Sequence, residues 1–214
     1  MWRRLEQFLA VFLTLFASTA ACGQTLYSFD TDDDFFAPAA DWPAWQDTLD
    51  RHAAERESIR RCVADDAACP LRLRGLRHLL VKGAGLTTEQ QVRLVNRYIN
   101  KQRYKDDRIG SRSQAGNQWE TLTEFLQAGG DCEDFAVAKY FVLREFGVDA
   151  EDMRIVIGRE SRRATHHAML AIRFDDGVWL LENDNTIHRN GYQDISRFVY
   201  AINEQGIWDH EKFE

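Results

Sequence analysis

The hydrophobic positions change period once along the chain, and the change divides it into two halves. From Trp42 to about Arg61, Trp45, Leu49, His52 and Ile59 recur near helical spacing. Leu71 to Leu80 is basic and amphipathic, with Arg72, Arg74, Arg77 and His78 forming a solvated face. Thr87 to Arg103 predicts another helix, with Thr88 as its cap and Val92, Val95 and Ile99 as its apolar stripe. Lys105 to Asn117 is polar and glycine-bearing, the pattern of a surface loop. Trp119 to Gln127 then predicts a short helix closed by Gly129-Gly130. Asp131 is expected to cap the next helix, Cys132 to Phe146, whose Phe135, Ala136, Val142, Leu143 and Phe146 face a core until Gly147 ends it.

Beyond Gly147 the pattern turns to short branched and aromatic runs. Arg154 to Gly158, His167 to Phe174, Val178 to Glu182 and Phe198 to Ile202 predict strands, with Asp175-Asp176-Gly177 as a hairpin turn. Helices first and antiparallel strands afterwards make an α+β domain, expected over residues 42–214. Residues 24–41 carry the acidic run Asp30-Thr31-Asp32-Asp33-Asp34. It lacks the glycine and terminal glutamate of an EF-hand loop and reads as part of a mobile lead-in.

The first 23 residues have a different character. Arg3 and Arg4 precede an apolar run from Phe8 to Ala17, and small residues follow to Gly23, the pattern of a secretory signal peptide. The run is too short to span a bilayer, and no later stretch is long and apolar enough. Thr19 stands three positions before Cys22 where a lipoprotein signal has a branched aliphatic residue, so a soluble periplasmic protein is expected rather than a lipoprotein. The remaining composition is that of an ordinary globular domain, with 44% apolar residues and a formal net charge of −7 over 214 residues. That balance argues against a surface that tracks nucleic-acid phosphates.

Cysteine usage narrows the chemistry. Cys62 and Cys69 bracket a short polar segment and are expected to close a local disulfide loop in an oxidising compartment. With Cys22 removed alongside the signal, one thiol remains, Cys132, and it falls on the first turn of a predicted buried helix. The partial positive charge there favours a thiolate, and the first-turn amides point where an oxyanion would form. A nucleophile needs a base and a group that orients the base. His166-His167 opens a predicted strand, and adjacent strand residues point to opposite sides, so one of the two faces the cysteine. Glu182 and Asp184 follow the partner strand on one face. A tight hairpin centred near Asp176 would bring Asp184 closer to His167, but register read from sequence slips easily, and the choice stays open at this level.

Residues 129–148, Gly-Gly-Asp-Cys-Glu-Asp-Phe-Ala-Val-Ala-Lys-Tyr-Phe-Val-Leu-Arg-Glu-Phe-Gly-Val, closely resemble the bacterial transglutaminase-like cysteine peptidases of the LapG-type periplasmic adhesin proteases. So do Trp119-x-Thr121-x-x-Glu124-Phe125, His167-Ala-Met-Leu-Ala171, Leu181-Glu182-Asn183 and Tyr200-x-x-Asn203-x-x-Gly206-x-Trp208, over roughly residues 40–210. The resemblance implies a papain-like, transglutaminase-type fold and a Cys-His-Asp triad mapping to Cys132, His167 and Glu182. The last is a departure, because glutamate stands where the family usually has aspartate. It implies Ca²⁺ as well, with Asp131, Glu133 and Asp134 as ligands, since clustered carboxylates beside a nucleophile suit a hard cation.

The resemblance further implies a substrate and a regulator. The substrate would be the N-terminal region of a large surface adhesin, cut at a small-residue site, its release promoting biofilm dispersal. The regulator would be a LapD-like cyclic-di-GMP receptor that sequesters the protease. Two other readings keep the same residues. One is a transglutaminase passing the acyl group to an amine; the other is a calcium-dependent binding module whose triad has decayed.

Overall fold

The computed structural model describes residues 24–30, 34–105, 119–162, 165–189 and 191–211. The expected signal segment, including Cys22, and most of the expected 105–117 loop lie outside them. Five helices, α1 (Pro43–Ala64), α2 (Arg74–Gly83), α3 (Thr88–Ile99), α4 (Leu122–Ala128) and α5 (Cys132–Glu145), pack on one face of a sheet. The sheet contains β1 (Phe35–Pro38), β2 (Met153–Glu160), β3 (His166–Phe174), β4 (Gly177–Leu181), β5 (Ile187–His188), β6 (Ile195–Ile202) and β7 (Gly206–Asp209). Its order is β1-β7-β6-β2-β3-β4-β5, and each neighbouring pair is antiparallel. The fold is α+β, as the change of period predicts.

Local chemistry sets the helix boundaries. Pro43 stands at the start of α1, where its fixed φ suits a helix and its missing N–H goes unneeded. Thr87, not the expected Thr88, caps α3: Thr87 is extended (φ −66°, ψ 157°), and its hydroxyl accepts from the Gln90 amide while Gln90 reaches back to the Thr87 amide. Thr121 and Glu124 repeat that reciprocal pair at α4. α3 also ends at Ile99, short of the expected Arg103, because the chain from Arg103 to Lys105 runs instead beside Gly130. Helix α5 lies at the centre, with every residue from Asp134 to Leu143 buried. Phe125 meets Phe135 edge-on at 4.8 Å, and His52 of α1 stacks on Phe141 at 3.7 Å.

Side-chain alternation gives the sheet two apolar faces. Ile155, Ile157, Ala168, Leu170 and Leu181 meet the helices, while Val156, Met169, Ala171, Leu180 and Ala201 point away from them. A sheet with helices on one side needs another cover for its second apolar face. The described parts of the expected lead-in, residues 24–30 and 34–41, supply that cover. Tyr27 and Phe29 are buried on that face, Tyr27 meets Phe198 edge-on at 4.9 Å, and Phe35–Pro38 adds an edge strand against β7. The Arg154 guanidinium is inserted among these rings, 3.7 Å from the centre of Trp208 and 4.8 Å from that of Phe29. The two aromatics stand in a short polar context with no periodicity, so their burial depends on a surface made by distant strands.

Cys62 at the end of α1 is joined to Cys69 in a disulfide, and both sulfurs are buried beside Leu73. Closing so short a loop restricts the unfolded chain by about 2.5 kcal/mol. Replacing both cysteines by alanine is expected to lower the urea unfolding midpoint by that amount of stability. An unchanged midpoint would show that the bridge constrains nothing.

Candidate active site

The site is built around the start of α5. Gly129 closes α4 at φ +75°, a conformation that favours glycine, and a Cβ there would stand 2.1 Å from the Arg103 carbonyl oxygen. At Gly130 a Cβ would meet the Asp134 carboxylate at 2.2 Å. These close approaches are the physical reason for two consecutive glycines. Lys105 N–H donates to the Gly130 carbonyl at 2.8 Å, and Gly130 N–H donates to that of Arg103 at 3.3 Å, so a short extended segment flanks the helix start. Asp134 then accepts the Glu120 amide at 2.8 Å and the Asp131 amide at 3.1 Å. Burial pushes its carboxyl up to about 7 despite those two amides. It therefore knits α4, the turn and α5 together.

Cys132 is half-buried on the first turn, and its thiol donates to Glu133 Oε2 at 3.1 Å. Burial raises its pKa far above the usual thiol range, the Glu133 and Asp131 charges raise it further, and the Ala168 amide on β3 partly opposes them. This arrangement favours the protonated thiol. Asp131, Cys132 and Glu133 bring one ligand atom each within 4.8 Å of one another, forming a metal-capable group among the described residues. Asp134, the third expected ligand, lies outside that group, and its two oxygens accept the Glu120 and Asp131 amides.

His167 lies on β3 with its ring on the buried Glu182: Nε2 is 2.8 Å from Oε2 and 3.0 Å from Oε1. Burial works against the imidazolium, but the hydrogen bond and charge of Glu182 outweigh it and hold the His167 pKa above the ordinary 6.5. His166 is exposed on the opposite side of the strand. The β3–β4 ladder explains the partner. Leu170 opposes Leu181 and Phe174 opposes Gly177, so continuing that register would set Asp184 opposite His167. The ladder stops at Leu181, however, and Asn185 turns the chain with φ +78°. Asp184 is exposed there, its carboxylate accepting the Thr186 amide at 2.8 Å. Glu182 lies diagonal to His167 on the same face, a separation that longer side chains bridge.

Two residues beyond those read from sequence belong to this neighbourhood. Tyr200 of β6 pairs with Ile157, which pairs with Ala168, so the three form one row beneath Cys132. Burial, then the charge of Glu133, pushes its phenol up to about 12. Lys139 of α5 is buried and donates to the Glu182 carbonyl oxygen at 2.7 Å. Its signal was present but unread: it falls seven residues after Cys132, two turns along the same helix stripe. A cavity of about 190 Å³ is lined by Glu160, Arg162, Tyr192 and Asp194.

Comparison with known proteins identifies the family. The model of the bacterial transglutaminase-like cysteine proteinases matches residues 59–206, well over half of the chain. The chain belongs to this family. Among solved structures it is similar to Legionella pneumophila LapG at 26% identity, with a TM-score of 0.60, covering 72% of this chain and 87% of that one. The calcium-bound form of that protein matches at 25% identity and TM-score 0.60, covering 74% and 89%, and its EGTA-treated form at 26% and 0.60, covering 72% and 85%. No curated protein sequence matches. The match to LapG gives the α+β architecture its class, a transglutaminase-like cysteine protease fold. As a family member, the protein is a cysteine peptidase by descent.

The His167–Glu182 pair yields a prediction with a definite sign. In an imidazole NMR titration of the wild-type protein, the His167 midpoint is expected above 6.5, the ordinary value. In Glu182→Gln, burial and the Lys139 charge remain, opposed by the charge of Glu160, and the midpoint should fall. Because the folded value is raised, the pair's contribution to stability is complete below the unfolded pKa of about 6.5 and is lost as pH rises through the folded value. Equal midpoints in the two proteins would remove Glu182 from its role beside His167.

Proposed function

We propose that the protein is an exported, calcium-dependent cysteine endopeptidase with the triad Cys132, His167 and Glu182. The observation that carries this reading is the contact of His167 Nε2 with both Glu182 oxygens, on a strand whose Ala168 amide faces the sulfur of Cys132. Glu182 orients the imidazole and stabilises its charged form. His167 accepts the Cys132 proton, the thiolate attacks a peptide carbonyl, and the leaving amine takes the proton from His167. The Cys132 amide at the helix start faces the developing oxyanion. Water, activated by His167, then hydrolyses the thioester.

Asp131 and Glu133 would hold Ca²⁺ together with Asp134, which also fixes the helix start. The donor set suits a hard cation: two carboxylates crowd a thiol that burial, reinforced by their charge, holds toward its protonated form. Bound there, a divalent cation supplies positive charge beside the sulfur and offsets those carboxylates. That solved LapG structures include a calcium-bound form supports this assignment.

The likeness to LapG also supports the finer reading. The substrate is the N-terminal region of a large surface adhesin, whose release promotes biofilm dispersal, and a LapD-like cyclic-di-GMP receptor sequesters the enzyme. The signal segment expected over residues 1–23 supports a periplasmic mature protein. No helix among the described residues is long and apolar enough to cross a membrane.

The test is cleavage of an adhesin N-terminal fragment by the mature protein, with calcium or with chelator, for wild type and Cys132→Ala. Cutting should require calcium and disappear in the alanine variant. A folded, calcium-loaded wild type that leaves the fragment whole would overturn the adhesin assignment, and amine incorporation in place of cleavage would make the enzyme a transglutaminase.

A further inference from the structure

Two donors, one buried and one half-buried, converge on the Glu182 carbonyl beneath the His167–Glu182 pair. Lys139 Nζ donates to the Glu182 carbonyl oxygen at 2.7 Å, and Asn100 Nδ2 donates to the same oxygen at 2.7 Å. They come from different helices, Lys139 from the third turn of α5 and Asn100 from the residue that caps the C-terminus of α3. One turn back on α3, the buried Asn96 donates to the Asn185 carbonyl at 3.1 Å, and its own side-chain oxygen accepts from Asn100 at 3.1 Å. Both ends of the turn that leaves β4 are therefore gripped by helix side chains.

A lysine at 1% exposure needs a physical reason. Methionine would fill similar space without desolvating an amine, so the bond to the carbonyl is what the position gains from lysine. Burial pulls the Lys139 pKa down to about 7, while the charges of Glu182 and Asp184 hold it up. Nζ also lies 6.0 Å from the centre of the Phe135 ring on its own helix. Cys132 and Lys139 are seven residues apart, two helical turns and about 10.5 Å along one stripe. One rigid helix thus carries the nucleophile at its start and, two turns later, a donor to the segment that carries the triad carboxylate.

We infer that Lys139, together with Asn100, is a positioning residue of the active site: the two donors fix the Glu182 backbone so that its carboxylate meets His167, and α5 thereby ties nucleophile and carboxylate into one frame. The inference rests on the proposed triad and deepens it. Glutamate has one more rotatable bond than the aspartate usual in the family, so its carboxylate spreads over more positions unless the backbone beneath it is held. Neither donor touches the reacting atoms, and each acts through Glu182.

The test is a double-mutant cycle read without any protein substrate, as the rate of Cys132 alkylation by iodoacetamide in the mature, calcium-loaded protein at fixed pH. Lys139→Met should slow alkylation by about tenfold with Glu182 present, and by less than about twofold in the Glu182→Gln background. Asn100→Ala runs as a second cycle with the same expected coupling, and it decides the matter if Lys139→Met fails to fold. Equal fold-losses in both backgrounds would mean that the donors act on the fold and not through Glu182, and would overturn the inference. Full reactivity in Glu182→Gln alone would overturn both the triad and the positioning role. Coupled alkylation in a protein that leaves adhesin uncut would keep the positioning role and remove only the substrate.

Discussion

The site depends on where α5 begins, and that point is fixed by one buried carboxylate. Asp134 accepts the amides of Glu120 and Asp131, binding the approach to α4 and the start of α5 to a single side chain. Gly130 makes room for that carboxylate, and Gly129 lets the chain pass against Arg103. With the start pinned, the first-turn residue is Cys132, and its sulfur meets the Ala168 amide on β3 and the carboxylate of its neighbour Glu133. Moving the start by one residue would rotate the thiol by about 100° around the helix and away from the strand. A bury-and-satisfy requirement thus sets the position of the proposed nucleophile.

The electrostatics at the two ends of the site oppose each other. Around Cys132, burial and two carboxylates favour the neutral thiol. Around His167, the hydrogen bond from Nε2 to Glu182 and its charge favour the imidazolium over the pull of burial. Negative charge is therefore concentrated on both sides of the thiol-to-imidazole path. At the imidazole it assists proton acceptance; at the sulfur it opposes proton loss. A cation at Asp131 and Glu133 would change the second condition without disturbing the first, a physical rationale for carboxylates packed against a thiol whose ionisation they oppose.

Much of this was legible in the sequence because local chemistry carried it. The paired glycines, the helix opening on Cys132 and the strand opening on His167 each have short-range signatures, and the β3–β4 hairpin follows from Asp175-Asp176-Gly177. Other features depend on long-range geometry. Hairpin register extrapolates to Asp184 opposite His167, but the end of the ladder at Leu181 decides which carboxylate can reach, and no local pattern marks that end. Tyr27 and Phe29 lie in a segment without periodicity and find their place only against a sheet face assembled from later strands. Lys139 breaks the apolar pattern of a core helix, so reading for hydrophobic stripes passes over it. Thr87 and Thr88 are chemically equivalent caps, and a single residue's backbone conformation separates them.

The most direct measurement of the central claim is the rate of Cys132 alkylation in the wild-type mature protein at neutral pH, with calcium and with chelator, alongside Glu133→Gln. If the carboxylates hold the thiol protonated and a cation offsets them, calcium should accelerate alkylation in the wild type. Glu133→Gln should then be faster than wild type in chelator. Identical wild-type rates in calcium and chelator, with no gain from Glu133→Gln, would contradict the account of a thiol governed by the charges at its helix start.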